Sequence, residues 1–221
     1  MYSFAQRPDT RVVDEPLYAH YLRVSGADHP GRDEVLAAQD ADGERVVRDV
    51  ILGPDDRPVL FFKQMAHHLV ELDRGFLEKT VNVFLIRDPR EMLPSLSVNI
   101  PRPTLADTGL GFQAELLDEL RRAGQDPPVL DARLLLEDPA ARLQSLCRRL
   151  EQDWNPDMLA WAAGPRAEDG VWAPHWYANV HRSEGFAPYR AKTDPLPEHL
   201  REVHELCRPH YAKLRAEAAR L

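Results

Sequence analysis

The sequence is short of several things, and each shortage closes off a class of protein. It holds 2 cysteines in 221 residues, too few for the disulfide framework of a small secreted scaffold. Both, Cys147 and Cys207, fall in helix-like stretches among apolar neighbours, which reads as two buried thiols in a reducing compartment. No run approaches the roughly 18 apolar residues of a membrane span, and the first residues lack the apolar stretch of a secretion signal. There is no excess of positive charge either. With 28 Lys+Arg against 36 Asp+Glu, the formal net charge is -8, which argues against nucleic-acid binding through bulk electrostatics. A few local arginines could still hold a small anion. The spacings of His175, His181, His199, His204 and His210 fit no zinc pattern, so no metal site is expected. The expectation is a cytoplasmic protein with no membrane or nucleic-acid partner, its oligomeric state unknown.

What the chain does have is an alternation of strands and helices. Thr10–Asp14 is a short β-branched run, and Pro58–Phe62 and Thr80–Ile86 are continuous apolar runs of strand length, as for strands buried on both faces. Pro128–Ala132 is a weaker fourth. Phe112, Leu116, Leu117 and Leu120 mark one helical face, and Leu143, Leu146, Cys147 and Leu150 another. The second of these helices opens on Asp138 as N-cap with Pro139 in its first turn. A terminal helix over 197–221 presents Leu200, Val203, Leu206, Tyr211 and Leu214, and Pro209 should kink or split it. Strands joined through helices imply crossover connections, hence an α/β fold of three layers with a mostly parallel sheet flanked by helices. No internal repeat or low-complexity linker divides residues 1–221, so one domain is expected. Within it, 18–57 reads as a variable insertion or cover. Residues 153–195, with Trp154, Trp161, Trp172 and Trp176, read as a packed irregular region.

The sharpest local feature is the stretch from Val83 to Ser95. A buried parallel strand would deliver Arg87 to its carboxyl end, where ligands bind in open α/β sheets. Asp88-Pro89 then starts a helix whose N–H groups favour a nearby anion. Arg87 can grip phosphate oxygens with two parallel N–H bonds and Ser95 can add a hydroxyl. Equally, Arg87 could cap the sheet edge and Ser95 be an ordinary helix-face serine. Pro94 is awkward in a helix and should make its first turn irregular.

Arg87 and Ser95, eight residues apart behind an apolar strand, resemble the 3′-phosphate-binding segment of sulfotransferases. These enzymes take a sulfuryl group from 3′-phosphoadenosine 5′-phosphosulfate (PAPS). Other stretches resemble a bacterial sulfotransferase-like family of P-loop type: Arg11–Leu17, with its Glu-Pro after a strand, then Leu146–Leu150, Met158–Trp161, Trp172–Tyr177 and Ser183–Phe186. Together they cover nearly the whole chain. The resemblance implies a P-loop NTPase-like fold, PAPS as donor, and a small-molecule hydroxyl or amine as acceptor.

It also implies site residues. Glu15, just after a strand, matches the position of the base in carbohydrate sulfotransferases, although an acid at a helix start is the plainer reading. Lys63 lies where a donor-contacting lysine is found, and His67 or His68 could be a base near neutral pH or a structural histidine. Ser183 and Gly185 lie where a C-terminal loop closes over the 3′-phosphate, with only Arg182 as local cation and Glu184 opposing. Trp176 and Tyr177 could stack on adenine or pack in the core. One part of the family pattern is missing. No Gly/Ser/Thr loop for the phosphosulfate is present, and Met1–Arg7 resembles the later part of the first helix, so a chain truncated before that loop is expected. The alternatives are a catalytically inactive nucleotide-binding or interaction module of the same fold, or another P-loop-type phosphotransferase.

Overall fold

The computed structural model describes all residues, Met1–Leu221. The chain divides into two compact units. The first takes Met1–Phe76 and Asn155–Phe186, the second Leu77–Trp154 and Ala187–Leu221. Each is built on a pair of parallel strands with helices around it, so the α/β class is borne out, with the sheet present as two short pairs.

In the first unit, β1 (Thr10–Asp14) pairs with β2 (Val59–Lys63), starting at Thr10 opposite Val59 and ending at Asp14 opposite Lys63. The β-branched residues of β1 suit an extended backbone. Burial alternates as the pleat requires, with Thr10, Val12 and Asp14 inward. One further rung, Glu15 N–H to the Lys63 carbonyl at 2.7 Å, carries the pairing past the strand end. Helix Tyr18–Ser25 follows and closes on Gly26, whose φ of 68° is the left-handed cap that glycine adopts without strain. Its Tyr18, Ala19, Tyr21 and Leu22 form a core with Val35 of helix Arg32–Ala38 and with Trp172. Within 18–57, the helices Tyr18–Ser25 and Arg32–Ala38 each bury a face. Residues 155–186 hold 3₁₀ turns and the short helix Ala173–Trp176.

In the second unit, β3 (Phe84–Ile86) pairs with β4 (Val129–Asp131). β3 is shorter than the apolar run suggests. Asn82 donates its side-chain amide to the carbonyls of Leu77 and Thr80 and to Gln125 Oε1, which holds 77–82 in a turn. Nor is the strand buried on both faces, because Phe84 and Ile86 point inward while Leu85 is 56% exposed. The covering element is helix Arg201–Ala218, which packs on both β3 and β4. That helix runs unbroken through Pro209, so the proline does not split it. Pro209 is exposed, and the buried face reads Val203, Cys207, Tyr211, Leu214 and Ala218. Leu206, expected inward, is 51% exposed, because one residue further on Cys207 completes the turn from Val203. Helices Leu110–Arg122 and Pro139–Arg149 bury the faces their periodicity marks. Asp138 caps the second by accepting from the Ala141 N–H at 3.0 Å. Both cysteines are buried and unbridged.

Candidate active site

In parallel pairing the side chains of opposed residues lie on the same face, so the register of β1 and β2 brings Asp14 and Lys63 together at the carboxyl ends of the strands. Glu15 turns out of β1 with φ at 38°, a left-handed conformation that a non-glycine residue adopts only when its surroundings hold it there. Three hydrogen bonds do so. Besides the rung to Lys63, the Glu15 carbonyl accepts from the Tyr18 N–H at 3.0 Å and from Gln39 Nε2 at 3.1 Å. The outcome is a carboxylate facing the Lys63 ammonium, which donates to Glu15 Oε1. Lys63 Nζ also donates to the Tyr177 hydroxyl at 2.8 Å and lies 3.5 Å from Asp14 Oδ1. The Tyr177 hydroxyl donates to Asp14, 2.7 Å from Oδ2. Asp14 Oδ2 also accepts from the Gly170 N–H at 3.3 Å. Glycine is required at 170, since a Cβ there would meet the Trp172 ring at 2.1 Å.

Burial dominates the electrostatics. It pushes the Glu15 carboxyl above its ordinary value, with Lys63 opposing and Asp14 adding to the rise. Burial alone would depress Lys63, but Glu15, Tyr177 and Asp14 override it and hold the ammonium above the usual lysine range. The Tyr177 phenol is likewise raised by burial, so it stays a neutral donor.

His67 and His68 lie on the 3₁₀ turn Ala66–Leu69, both buried. His68 Nδ1 is 3.8 Å from Glu15 Oε2, beyond a hydrogen bond, and its ring stacks on Tyr18 and Tyr21 with centroids 4.8 Å away. His67 meets Tyr21 edge-on at 4.9 Å. Burial, helped by His67 and Lys63, holds His68 well below the ordinary histidine value, hence neutral. Below pH 6.5 the unfolded chain therefore takes up a proton that folded His68 refuses, and stability falls as pH falls, by about 1.4 kcal/mol per pH unit. His68→Phe keeps the stacking and removes this effect. Urea denaturation between pH 7 and pH 5 should show a shallower loss in the variant, and equal slopes would refute the assignment.

The other expected residues make none of these contacts. In the second unit, Arg87 directly follows β3, with 43% of its side chain accessible, and its Nε is 3.7 Å from Glu91 Oε2 one turn into helix Pro89–Leu96. Asp88 caps that helix by accepting from the Arg90 N–H at 2.8 Å, and its carbonyl is shared by the Glu91 and Met92 N–H groups. Ser95 is exposed on the same helix. Glu91 is tied in turn by the Tyr189 hydroxyl at 2.6 Å and, at its carbonyl, by Lys192 Nζ at 2.8 Å. In the first unit the Ser183 hydroxyl is engaged in a turn, donating to the Val180 carbonyl at 2.7 Å and accepting from Trp161 Nε1 at 3.0 Å. Gly185 bridges to Ala160.

The structure thus gathers Glu15, Lys63 and His68 and adds two residues that sequence reasoning did not place there, Asp14 and Tyr177. Asp14 carried a signal, since it ends the strand before Glu15. Tyr177 carried none for this role, because its partners lie 114 and 163 positions away.

The sequence also matches known proteins. A family model described as Sulfotransferase domain matches residues 1–218, and the chain belongs to that family. Two curated proteins of Arabidopsis thaliana are similar to it: branched-chain-amino-acid aminotransferase-like protein 2, 40% identical over 216 residues, and protein 1, 41% identical over 217. The matches cover 97% and 98% of this chain but 38% and 39% of those proteins, so the chain spans about two fifths of their length. Among solved structures, a sulfotransferase domain from the curacin biosynthetic pathway is similar at 12% identity and a TM-score of 0.36, over 86% of this chain and 77% of that one. No helix of the chain is long and apolar enough to cross a membrane.

Proposed function

We propose that the protein transfers a sulfuryl group from PAPS to a small-molecule hydroxyl or amine, with Glu15 as the base. The observation that carries this reading is the Glu15 carboxylate, held at the end of β1 on a strained backbone and buried against the Lys63 ammonium, in a chain of the sulfotransferase domain family. Burial raises the proton affinity of Glu15, which suits a group that must take a proton from an acceptor near neutral pH. Lys63, kept protonated, offers positive charge where negative charge develops.

Two residues of the second unit have the chemistry to bind a phosphate. Arg87 is accessible and its pairing with Glu91 is too long for a close hydrogen bond, which leaves N–H groups for phosphate oxygens, and Ser95 is an exposed hydroxyl. These two are our candidates for holding the 3′-phosphate. When bound, PAPS supplies an electrophilic sulfur and a phosphate leaving group. The aminotransferase-like names of the curated relatives suggest chemistry on an amino group instead. Lys63 does not favour that within this segment, because an amine held as ammonium by two carboxylates is a poor nucleophile.

The test is calorimetric titration of 3′-phosphoadenosine 5′-phosphate into the protein and into Arg87→Ala. Micromolar binding is expected, weakened by about 10- to 100-fold in the variant, the scale of a lost charge-assisted hydrogen bond. Binding without turnover on any acceptor would leave a nucleotide-binding module. No binding would sink the PAPS reading.

A further inference from the structure

The Lys63 ammonium has three donors and three oxygen neighbours: Glu15 Oε1, the Tyr177 hydroxyl at 2.8 Å and Asp14 Oδ1 at 3.5 Å. The Tyr177 hydroxyl has one proton to give, and it faces Asp14, 2.9 Å from Oδ1 and 2.7 Å from Oδ2. Its lone pair is thereby aimed at Lys63. The direction of this bond is fixed by chemistry, because an ionised carboxylate only accepts and an ammonium only donates. Asp14 is itself held, with 1% of its side chain accessible and the Gly170 N–H at its second oxygen. Nζ lies 5.1 Å from the centroid of the Tyr177 ring, on its hydroxyl side. A flexible four-carbon side chain is thus pinned on two sides, leaving one of its donors for Glu15.

We propose that Tyr177, oriented by Asp14, is a positioning residue that clamps the Lys63 ammonium against Glu15 and so tunes how readily that carboxylate takes a proton. The proposal rests on the sulfuryl-transfer reading only for the use made of the proton. The clamp itself is a property of the folded chain. Neither residue needs to touch donor or acceptor. Both act through Lys63.

The groups facing Glu15 limit what else could set its titration. They are Lys63 from β2, Asp14 from β1, neutral His68 from the 3₁₀ turn, the Tyr18 phenol from the following helix, and Tyr177. Among these only Lys63 is a fixed cation, so loosening it should be the largest change a neighbour can cause.

The experiment follows the Glu15 carboxyl directly, by difference infrared titration against Glu15→Gln, with no PAPS and no acceptor present. In Tyr177→Phe, which keeps the ring, the freed ammonium should shield Glu15 less, and its midpoint should rise by on the order of one pH unit. In a Lys63→Met background the same Tyr177→Phe change should move the midpoint little, since the clamp has nothing left to hold. No shift in the first background, or equal shifts in both, would overturn the proposal. Should Tyr177→Phe fail to fold, the unsubstituted protein still decides. A slowly exchanging hydroxyl proton correlated with the Tyr177 ring is expected in its NMR spectrum, and its absence would overturn the clamp. Because no donor is used, failure here is separable from failure of the PAPS reading, which the Arg87→Ala titration addresses.

Discussion

Glu15→Gln is expected to lower PAPS-dependent turnover by about 10²–10⁴-fold, the range that loss of a general base spans, while binding of 3′-phosphoadenosine 5′-phosphate stays as it was. The carboxamide has the shape of the carboxylate and leaves the backbone bonds at Glu15 intact, so the φ of 38° should survive. It cannot take a proton. Lys63 keeps Asp14 and Tyr177 as partners, which protects the fold from the loss of one carboxylate. The measurement is release of 3′-phosphoadenosine 5′-phosphate from PAPS across a panel of hydroxyl and amine acceptors, with the unsubstituted protein beside the variant. Turnover at the unsubstituted level would remove Glu15 as base. His68 would not then inherit the role readily. Its ring is packed on Tyr18 and Tyr21, and burial holds it neutral with its Nδ1 3.8 Å from Glu15.

How far the site was legible depends on how local its causes are. The run Thr10–Asp14 and the following Glu15 announce a strand end in β-branched residues and a break, and the structure places the strand there. Asp138-Pro139 likewise marks a helix start through chemistry within three residues. The shortened β3 was hidden because Asn82, a polar residue inside an apolar run, ties the backbone through a partner 43 positions away, Gln125. Leu206 was misread for a simpler reason, since a helical face can be drawn through either of two adjacent residues until the packing partner is known. Tyr177 lay furthest from view. Its role depends on Asp14 and Lys63 meeting at one sheet edge and on Gly170 letting the chain pass close to Trp172. None of these conditions is written in the residues around it.

Lys63→Met should cost about 3 kcal/mol of stability at pH 7, the largest loss expected of any polar substitution in the first unit. Removing one partner of a buried ion pair typically costs about 3–5 kcal/mol, because the partner is left buried and uncompensated. Here two carboxylates are left, Asp14 and Glu15, with 1% and 8% of their side chains accessible. The lower end applies because 30% of the Lys63 side chain is accessible, so water can take part of its place. The pH dependence identifies the cause. Glu15 already titrates above 4.5 through burial, with Lys63 opposing, and without Lys63 it should titrate higher still. A carboxyl whose folded value is raised destabilises the fold at pH above that value, and the penalty fades as pH falls toward the unfolded value. Lys63, raised above 10.5, contributes its full stabilisation throughout the range below that pH. The gap between the unsubstituted protein and Lys63→Met in urea should therefore narrow from pH 7 to pH 5. A gap of constant size would mean that the charge of Lys63 does not set the stability of this strand end.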